Sequence, residues 1–367
     1  MTREKLQLDA KIKWYNSNCK GTVAYATGTG KSKIAVDIVS ENKDWKNVYL
    51  IVPTEKLRGE NWKEEFKKWK HLSDYSKIKR LCYASIDKVE DSEEIDLVIA
   101  DEFHNITEHN SSFFKKNKVK RILALTATPP DDKIKLEIFN KYAPVIATYT
   151  IDQGVKDGII APYEITVIEC RLDDKEKYVK AGTKEKPFYT TEQKHYEYLS
   201  KSILMLQYSK KKEVAKWKIL ERMRFIYNLR SKTELAKKLK DKFLKDKKSL
   251  IFCGSINQAE ELSPYTFHSK TSDKNLNKLI KGSINELASV ECLNEGVNIP
   301  SMEAALIVQL NSKEKDAIQR IGRLLRFREG HLAKIYILVV TNTVDENWAK
   351  KALQGFSNIT YVNYKNI

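Results

Sequence analysis

The stretch Ala26-Thr27-Gly28-Thr29-Gly30-Lys31-Ser32 has the residue types and spacing to bind a phosphate chain. It follows the apolar run Thr22-Val23-Ala24-Tyr25 and precedes Ile34-Ala35-Val36-Asp37-Ile38-Val39. That pattern predicts a strand, a glycine-rich turn and the opening of an amphipathic helix. Backbone N–H groups at such a turn converge on a helix N-terminus and form an anion hole. Gly28 and Gly30 let the backbone approach phosphate where a Cβ would intrude. Lys31 can reach the β- and γ-phosphates of a nucleotide, and the Ser32 hydroxyl can ligate Mg²⁺. The full pattern, G-x-x-x-x-G-K-[ST], puts Gly at position 25, where this chain has Tyr25.

A second group of residues completes the chemistry. Leu97-Val98-Ile99-Ala100 reads as a buried strand that ends on Asp101-Glu102-Phe103-His104. A strand ending in adjacent carboxylates sets acids at the sheet edge, where a phosphate loop of the same sheet also opens. Asp101 is expected to hold Mg²⁺ through water. Glu102 is expected to orient and polarise the water that attacks a γ-phosphate.

These residues need a scaffold. Apolar runs at 22–26, 47–53, 81–86, 96–101, 121–126 and 145–150 alternate with helical stretches, which predicts an α/β fold with a parallel sheet. Polar signatures fall at the carboxyl ends of those runs: Thr27–Ser32, Pro53-Thr54, Asp101–His104 and Thr126–Pro129. The segment Asp152–Pro162, with Gly154 and Gly158, reads as a connector. A second α/β rhythm begins near 231, with runs at 249–253, 265–268, 287–291, 304–310 and 334–340. The division is therefore 1–160, a helical connector and insertion at 161–230, and 231–367.

Composition narrows the class of partner. The chain has 66 Lys/Arg and 49 Asp/Glu, a formal charge of +17. Residues 171–249 hold 24 Lys/Arg against 11 Asp/Glu, so most of the excess sits in about a fifth of the sequence. That concentration points to a polyanion, nucleic acid above all. Trp62 and Trp69 lie seven apart in a helical pattern and read as core. The five cysteines, Cys19, Cys82, Cys170, Cys253 and Cys292, are scattered and never form C-x-x-C, so they read as thiols without zinc. No apolar run approaches the roughly 18 residues of a membrane span. The polar N-terminus, Met1-Thr2-Arg3-Glu4-Lys5, lacks a signal-peptide core. The expectation is a cytoplasmic protein with no membrane partner, monomeric in solution.

In order along the chain, Ala26–Ser32, Asp101–His104 and Thr126-Ala127-Thr128 resemble motifs I, II and III of the superfamily 2 helicases, in the D-E-x-H form. Ile51-Val52-Pro53-Thr54 with Leu57-Arg58 resembles motif Ia, and Ser249–Cys253 resembles motif IV. Leu293–Pro300 resembles motif V, and Gln319-Arg320-Ile321-Gly322-Arg323-Leu324-Leu325-Arg326 resembles motif VI. The subgroup it is most similar to is that of the phage and bacterial DNA translocases, which include UvsW-like helicases and the motor subunits of type III restriction enzymes.

The resemblance implies two RecA-like lobes with ATP bound between them. Lobe one would supply Thr27, Gly28, Thr29, Gly30, Lys31, Ser32, Asp101 and Glu102. Lobe two would supply Arg323 and Arg326 as arginine fingers, with Gln319 positioning water. Gly296 and Asn298 would touch the nucleotide, although Asn298 stands where the family commonly has an acid. Gln7 has the spacing of a residue that reads adenine. His104, Thr126, Thr128 and Arg320 would couple the phosphate state to the lobe interface. Pro53, Thr54 and Arg58 would offer donors to the phosphates of a strand. Tyr25 replaces a small residue and could pack near the nucleotide.

The activity so implied is an ATP- and Mg²⁺-dependent helicase or translocase on DNA. The same motifs occur in RNA-remodelling enzymes. A helicase fold that only binds nucleic acid would show damaged motifs, yet Lys31, Asp101, Glu102, Arg323 and Arg326 are all present.

Overall fold

The computed structural model describes residues 1–53, 61–89, 92–127, 130, 132–209, 211–290, 302–310 and 332–367. The chain divides into two compact units, Met1–Pro162 and a second that runs from Tyr163 to Ile367.

The first unit is built on strands β1 (Lys20–Tyr25), β2 (Val48–Val52) and β3 (Lys79–Cys82), with a short pair β4 (Glu94–Ile95) and β6 (Lys118–Val119) set apart. Strands β5 (Leu97–Ala100), β7 (Ile122–Thr126) and β8 (Val145–Tyr149) complete a six-stranded sheet in the order β3-β2-β5-β7-β1-β8. All its pairings are parallel. Every residue of β2, β5 and β7 is buried. Such continuous apolar runs mark strands covered by helices on both faces.

The helix Arg3–Asn16 opens on Thr2, whose hydroxyl accepts from the Lys5 amide, and buries Leu6, Ala10 and Trp14 along one side. The Trp14 indole N–H donates to the Ile122 carbonyl at 2.8 Å, which ties this helix to the sheet. The helix Lys31–Glu41 buries Ile34, Ala35, Val36, Ile38 and Val39. Burying each larger aliphatic side chain contributes about 1.5–3 kcal/mol. These contacts therefore hold the turn before this helix in place.

The second unit carries β9 (Tyr163–Cys170), a hairpin of β10 (Val179–Gly182) and β11 (Pro187–Thr190), and β12 (Ser249–Phe252). Strands β13 (Thr266–Phe267), β14 (Glu286–Ser289), β15 (Ala304–Ile307), β16 (Ala333–Val340) and β17 (Ile359–Asn363) follow. The large sheet has seven parallel strands in the order β13-β14-β12-β15-β16-β9-β17. The fold is thus two parallel-sheet α/β lobes of RecA-like type.

Two boundaries differ from the sequence reading. Residues 163–170 were expected in the connector, but β9 lies inside the second sheet between β16 and β17. Its run Tyr163-Glu164-Ile165-Thr166-Val167-Ile168 has the alternating, β-branched character of a strand. The stretch read as a plain connector also contains the helix Ile151–Lys156, with Thr150 and Gln153 forming a capping box. Gly154 is required there because a Cβ would come within 2.5 Å of Ile160.

After the β10–β11 hairpin, the helices Glu192–Tyr208 and Lys212–Tyr227 pack on each other as an arm. Glu192 fastens its root. This fully buried carboxylate accepts from the Ser231 hydroxyl at 2.6 Å, the Ser231 amide at 3.2 Å and the Asp173 amide at 3.0 Å. The Tyr178 hydroxyl donates to it as well. Deeper in the same unit, the fully buried Lys232 ammonium meets Asp345 at 2.7 Å and Gln309 at 3.0 Å. Gln309 returns a bond to Asp345 at 2.9 Å.

Among the described residues no helix is long and apolar enough to cross a membrane. The four described cysteines are free thiols, and burial raises Cys170 to about 12.

Candidate nucleotide site

The phosphate-loop sequence forms the structure its composition predicts. β1 ends at Tyr25, residues 26–30 turn, and the helix starts at Lys31. Gly28 and Gly30 take φ of +89° and +85°, in the left-handed region that only glycine enters freely. A Cβ on Gly28 would meet nothing within 4 Å, so the loop is open at that point. The Thr29 hydroxyl donates back to the Ala26 carbonyl at 2.8 Å and closes the turn. Thr27 lies at the start of the turn and Ser32 in the first turn of the helix.

The Lys31 ammonium donates to the Tyr25 carbonyl at 2.7 Å and the Ala26 carbonyl at 3.4 Å. Burial lowers its pKa, while the nearby charges of Glu102 and Asp101 oppose that shift. The phosphate-loop lysine and the acid pair therefore share one electrostatic site in the first unit.

Gln7 lies against this loop. Its amide N–H donates to the Thr29 carbonyl at 3.1 Å and the Gly30 carbonyl at 3.3 Å. Tyr25 belongs to the core: its ring packs 5.8 Å from Tyr149 and its hydroxyl reaches toward the Leu6 carbonyl.

Asp101 follows β5, and its amide donates to the Ile51 carbonyl of β2 at 2.8 Å. Pro53, two residues beyond Ile51, therefore sits near the same edge of the sheet. The Trp62 indole N–H donates to Asp101 Oδ2 at 2.9 Å, and the Glu102 amide donates to Oδ1 at 3.0 Å. The Tyr83 hydroxyl donates to the Asp101 carbonyl at 2.9 Å. Burial and the adjacent Glu102 push the Asp101 carboxyl above the usual range, against Trp62 and Lys31, which pull it down. Trp62 and Tyr83 both bond Asp101, contacts that the sequence reading did not include. Trp62 is buried as expected, whereas Trp69, expected in the core with it, is exposed; the one available signal for Trp62 was its indole N–H, which needs a partner when buried.

Glu102 adopts φ 47° and ψ 54°, a left-handed conformation that is costly for a residue with a Cβ. The following turn holds it there: the amide and side chain of Asn105 both bond the Glu102 carbonyl, at 2.9 and 3.1 Å. His104 Nδ1 lies 3.0 Å from the Thr126 hydroxyl and 3.4 Å from Glu102 Oε2. The Lys135 ammonium donates to the His104 carbonyl at 2.6 Å. The histidine thus links the acid pair after β5 to the end of β7.

The residues present suit a Mg²⁺–nucleotide. A half-buried carboxyl whose pKa is raised beside a second carboxylate is a place short of positive charge, and a divalent cation supplies it. Asp101 and Ser32 would be the donors for such an ion. The open loop, with Lys31 and the helix start, suits the phosphates.

Of the other expected site residues, Thr54, Arg58 and Thr128 lie outside the described residues. So do Gly296, Asn298, Gln319, Arg320, Arg323 and Arg326.

Comparison with known proteins divides the chain in the same two parts. The family described as "Type III restriction enzyme, res subunit" matches residues 2–131. The family described as "Helicase conserved C-terminal domain" matches residues 231–328. The curated "DNA 3'-5' translocase XPB2" of Sulfurisphaera tokodaii is 23% identical over 371 residues, covering 94% of this chain and 83% of the relative.

Among solved structures, the helicase domain of Hef from Pyrococcus furiosus matches with a TM-score of 0.52 at 13% identity, over 96% of this chain and 97% of that one. The ATP-dependent Type ISP restriction-modification enzyme LlaBIII, solved bound to DNA, matches with a TM-score of 0.61 at 15% identity. That match covers 98% of this chain, which spans 31% of the larger enzyme. These two likenesses concern the fold.

Proposed function

We infer an ATP-driven motor on DNA from a chain that belongs to superfamily 2 of the helicases. Use of ATP follows from that family. The observation that carries the reading is the glycine turn at φ +89° and +85° ahead of Lys31, at the end of β1 in the same parallel sheet whose strand β5 ends on Asp101 and Glu102.

Each residue has a chemical task. Gly28, Thr29 and Gly30 bring backbone donors to the phosphates, and Lys31 neutralises the β- and γ-phosphate charge. Ser32 and Asp101 would hold Mg²⁺, which would supply charge neutralisation at the phosphates. Trp62 fixes the Asp101 carboxylate through its indole N–H. Glu102 polarises the attacking water, with its Oε2 3.4 Å from His104 Nδ1. Gln319, Arg323 and Arg326 are assigned to the water and the γ-phosphate, where an arginine finger contributes about 10³–10⁵ in rate. Gln7, Gly296 and Asn298 are assigned to the nucleotide.

His104, Thr126, Thr128 and Arg320 transmit the phosphate state. Pro53, Thr54 and Arg58 grip a strand through its phosphates. The protein works as a cytoplasmic monomer. DNA is favoured over RNA because the relative that spans most of this chain is named a DNA translocase. ATP turnover with matched DNA and RNA duplexes tests the assignment. Stimulation by DNA supports it, and stimulation by RNA alone overturns it.

A further inference from the structure

The arm of the second unit has an outer surface that the motor chemistry does not use. In the helix Glu192–Tyr208, the buried residues Glu192, Tyr196, Leu199 and Ile203 recur at helical spacing and form the packed face. Lys194, Tyr198, Lys201, Met205 and Tyr208 recur on the opposite face and are all exposed. Tyr208 is 87% exposed, Met205 71% and Tyr198 58%. In the partner helix, Ala215 and Ile226 are the buried positions. Trp217, Leu220 and Arg224 share the outer face there, and Trp217 is 67% exposed. Apolar and aromatic side chains gathered on one exposed face mark an interaction surface.

The surrounding charge identifies the partner. Residues 192–227 carry nine Lys/Arg and four Asp/Glu. Lys211 and Lys212 stand exposed at the tip beside Tyr208, and Lys218 lies 5.8 Å from the Tyr198 ring centroid. Protein interfaces are depleted in lysine at their core. Duplex DNA offers phosphates but no free base faces for the rings. Unpaired DNA offers both: bases that stack on aromatic rings and a backbone that lysines follow. The arm is also rigidly rooted, through the four hydrogen bonds to Glu192.

We propose that this arm is a landing site for single-stranded DNA, with Tyr208 and Trp217 stacking unpaired bases between lysines that hold the backbone. The proposal rests on the reading of the chain as a DNA motor and adds a strand-selective contact outside its phosphate site.

The test compares wild-type full-length protein with Tyr208→Ala/Trp217→Ala and Tyr208→Phe/Trp217→Phe. Affinity for a labelled oligo-dT and for a blunt duplex of equal length is read by fluorescence anisotropy at fixed salt. The alanine pair should weaken oligo-dT binding by about tenfold or more and duplex binding by less than about twofold. The phenylalanine pair, which keeps both rings, should stay within about twofold of wild type. Equal losses on both DNAs would show that the rings do not select unpaired strands and would overturn the proposal. Unchanged oligo-dT affinity in the alanine pair would overturn it in favour of a protein partner. Wild-type ATP turnover with saturating DNA is read alongside: its absence would refute the motor reading and leave the arm result standing.

Discussion

The indole N–H of Trp62 donates to Asp101 Oδ2 at 2.9 Å, joining a helix after β2 to the acid at the end of β5. A hydrogen bond to a charged group contributes about 1.5–3 kcal/mol. Here it also fixes which way the carboxylate faces, and so where a Mg²⁺ ion would sit. Trp62→Phe keeps an aromatic ring in the core and removes only the donor. The expected outcome is about a tenfold lower ATP turnover with a raised Mg²⁺ requirement. A variant with lowered melting temperature but an unchanged Mg²⁺ titration would make Trp62 a packing residue only.

His104 and Thr126 meet at 3.0 Å, and His104 also faces Glu102. A link of this kind joins the acid assigned to the water to a neighbouring strand of the same sheet. Thr126→Val keeps the shape of the side chain and breaks the link. Turnover without DNA should stay within about threefold of wild type, while stimulation by DNA should largely disappear. The measurement is the ratio of turnover with and without duplex. A ratio equal to wild type would remove Thr126 from the coupling path.

Lys232 and Asp345 form an ion pair with both side chains fully buried. Removing one partner strands the other charge, at a cost of about 3–5 kcal/mol. Lys232→Met should therefore lower stability by about that amount. Adding Asp345→Leu should cost less than the sum of the two single changes, because no lone charge remains. Denaturant midpoints of the four proteins give the cycle, and additive losses would refute the coupling.

The parts that were legible in the sequence are those whose chemistry is local. Gly28, Gly30, Lys31 and Ser32 are neighbours in the chain, and the turn they form depends on few distant contacts. Asp101 and Glu102 were legible because an apolar strand announces its own end. Trp62 was read only as core, since nothing near it in sequence names Asp101 as its partner. Strand β9 was missed because its register partner for Tyr163 is Ala333, and the basic run after it drew the whole segment into one helical reading. The helix Ile151–Lys156 was missed because Gly154 reads as a breaker, although packing against Ile160 requires it. The left-handed backbone of Glu102 has no sequence signature. It is imposed by the bonds of Asn105 to the Glu102 carbonyl.

The account stands on ATP being cleaved at the phosphate loop of Lys31 and the Asp101–Glu102 pair, and on that cleavage serving DNA. Steady-state ATP turnover with and without duplex DNA, in wild type, Lys31→Ala and Glu102→Gln, tests this most directly. The predicted result is DNA-stimulated turnover in wild type and none in either variant, with Glu102→Gln alone binding DNA more tightly when ATP is added. Wild-type-like turnover in Lys31→Ala or Glu102→Gln would contradict it.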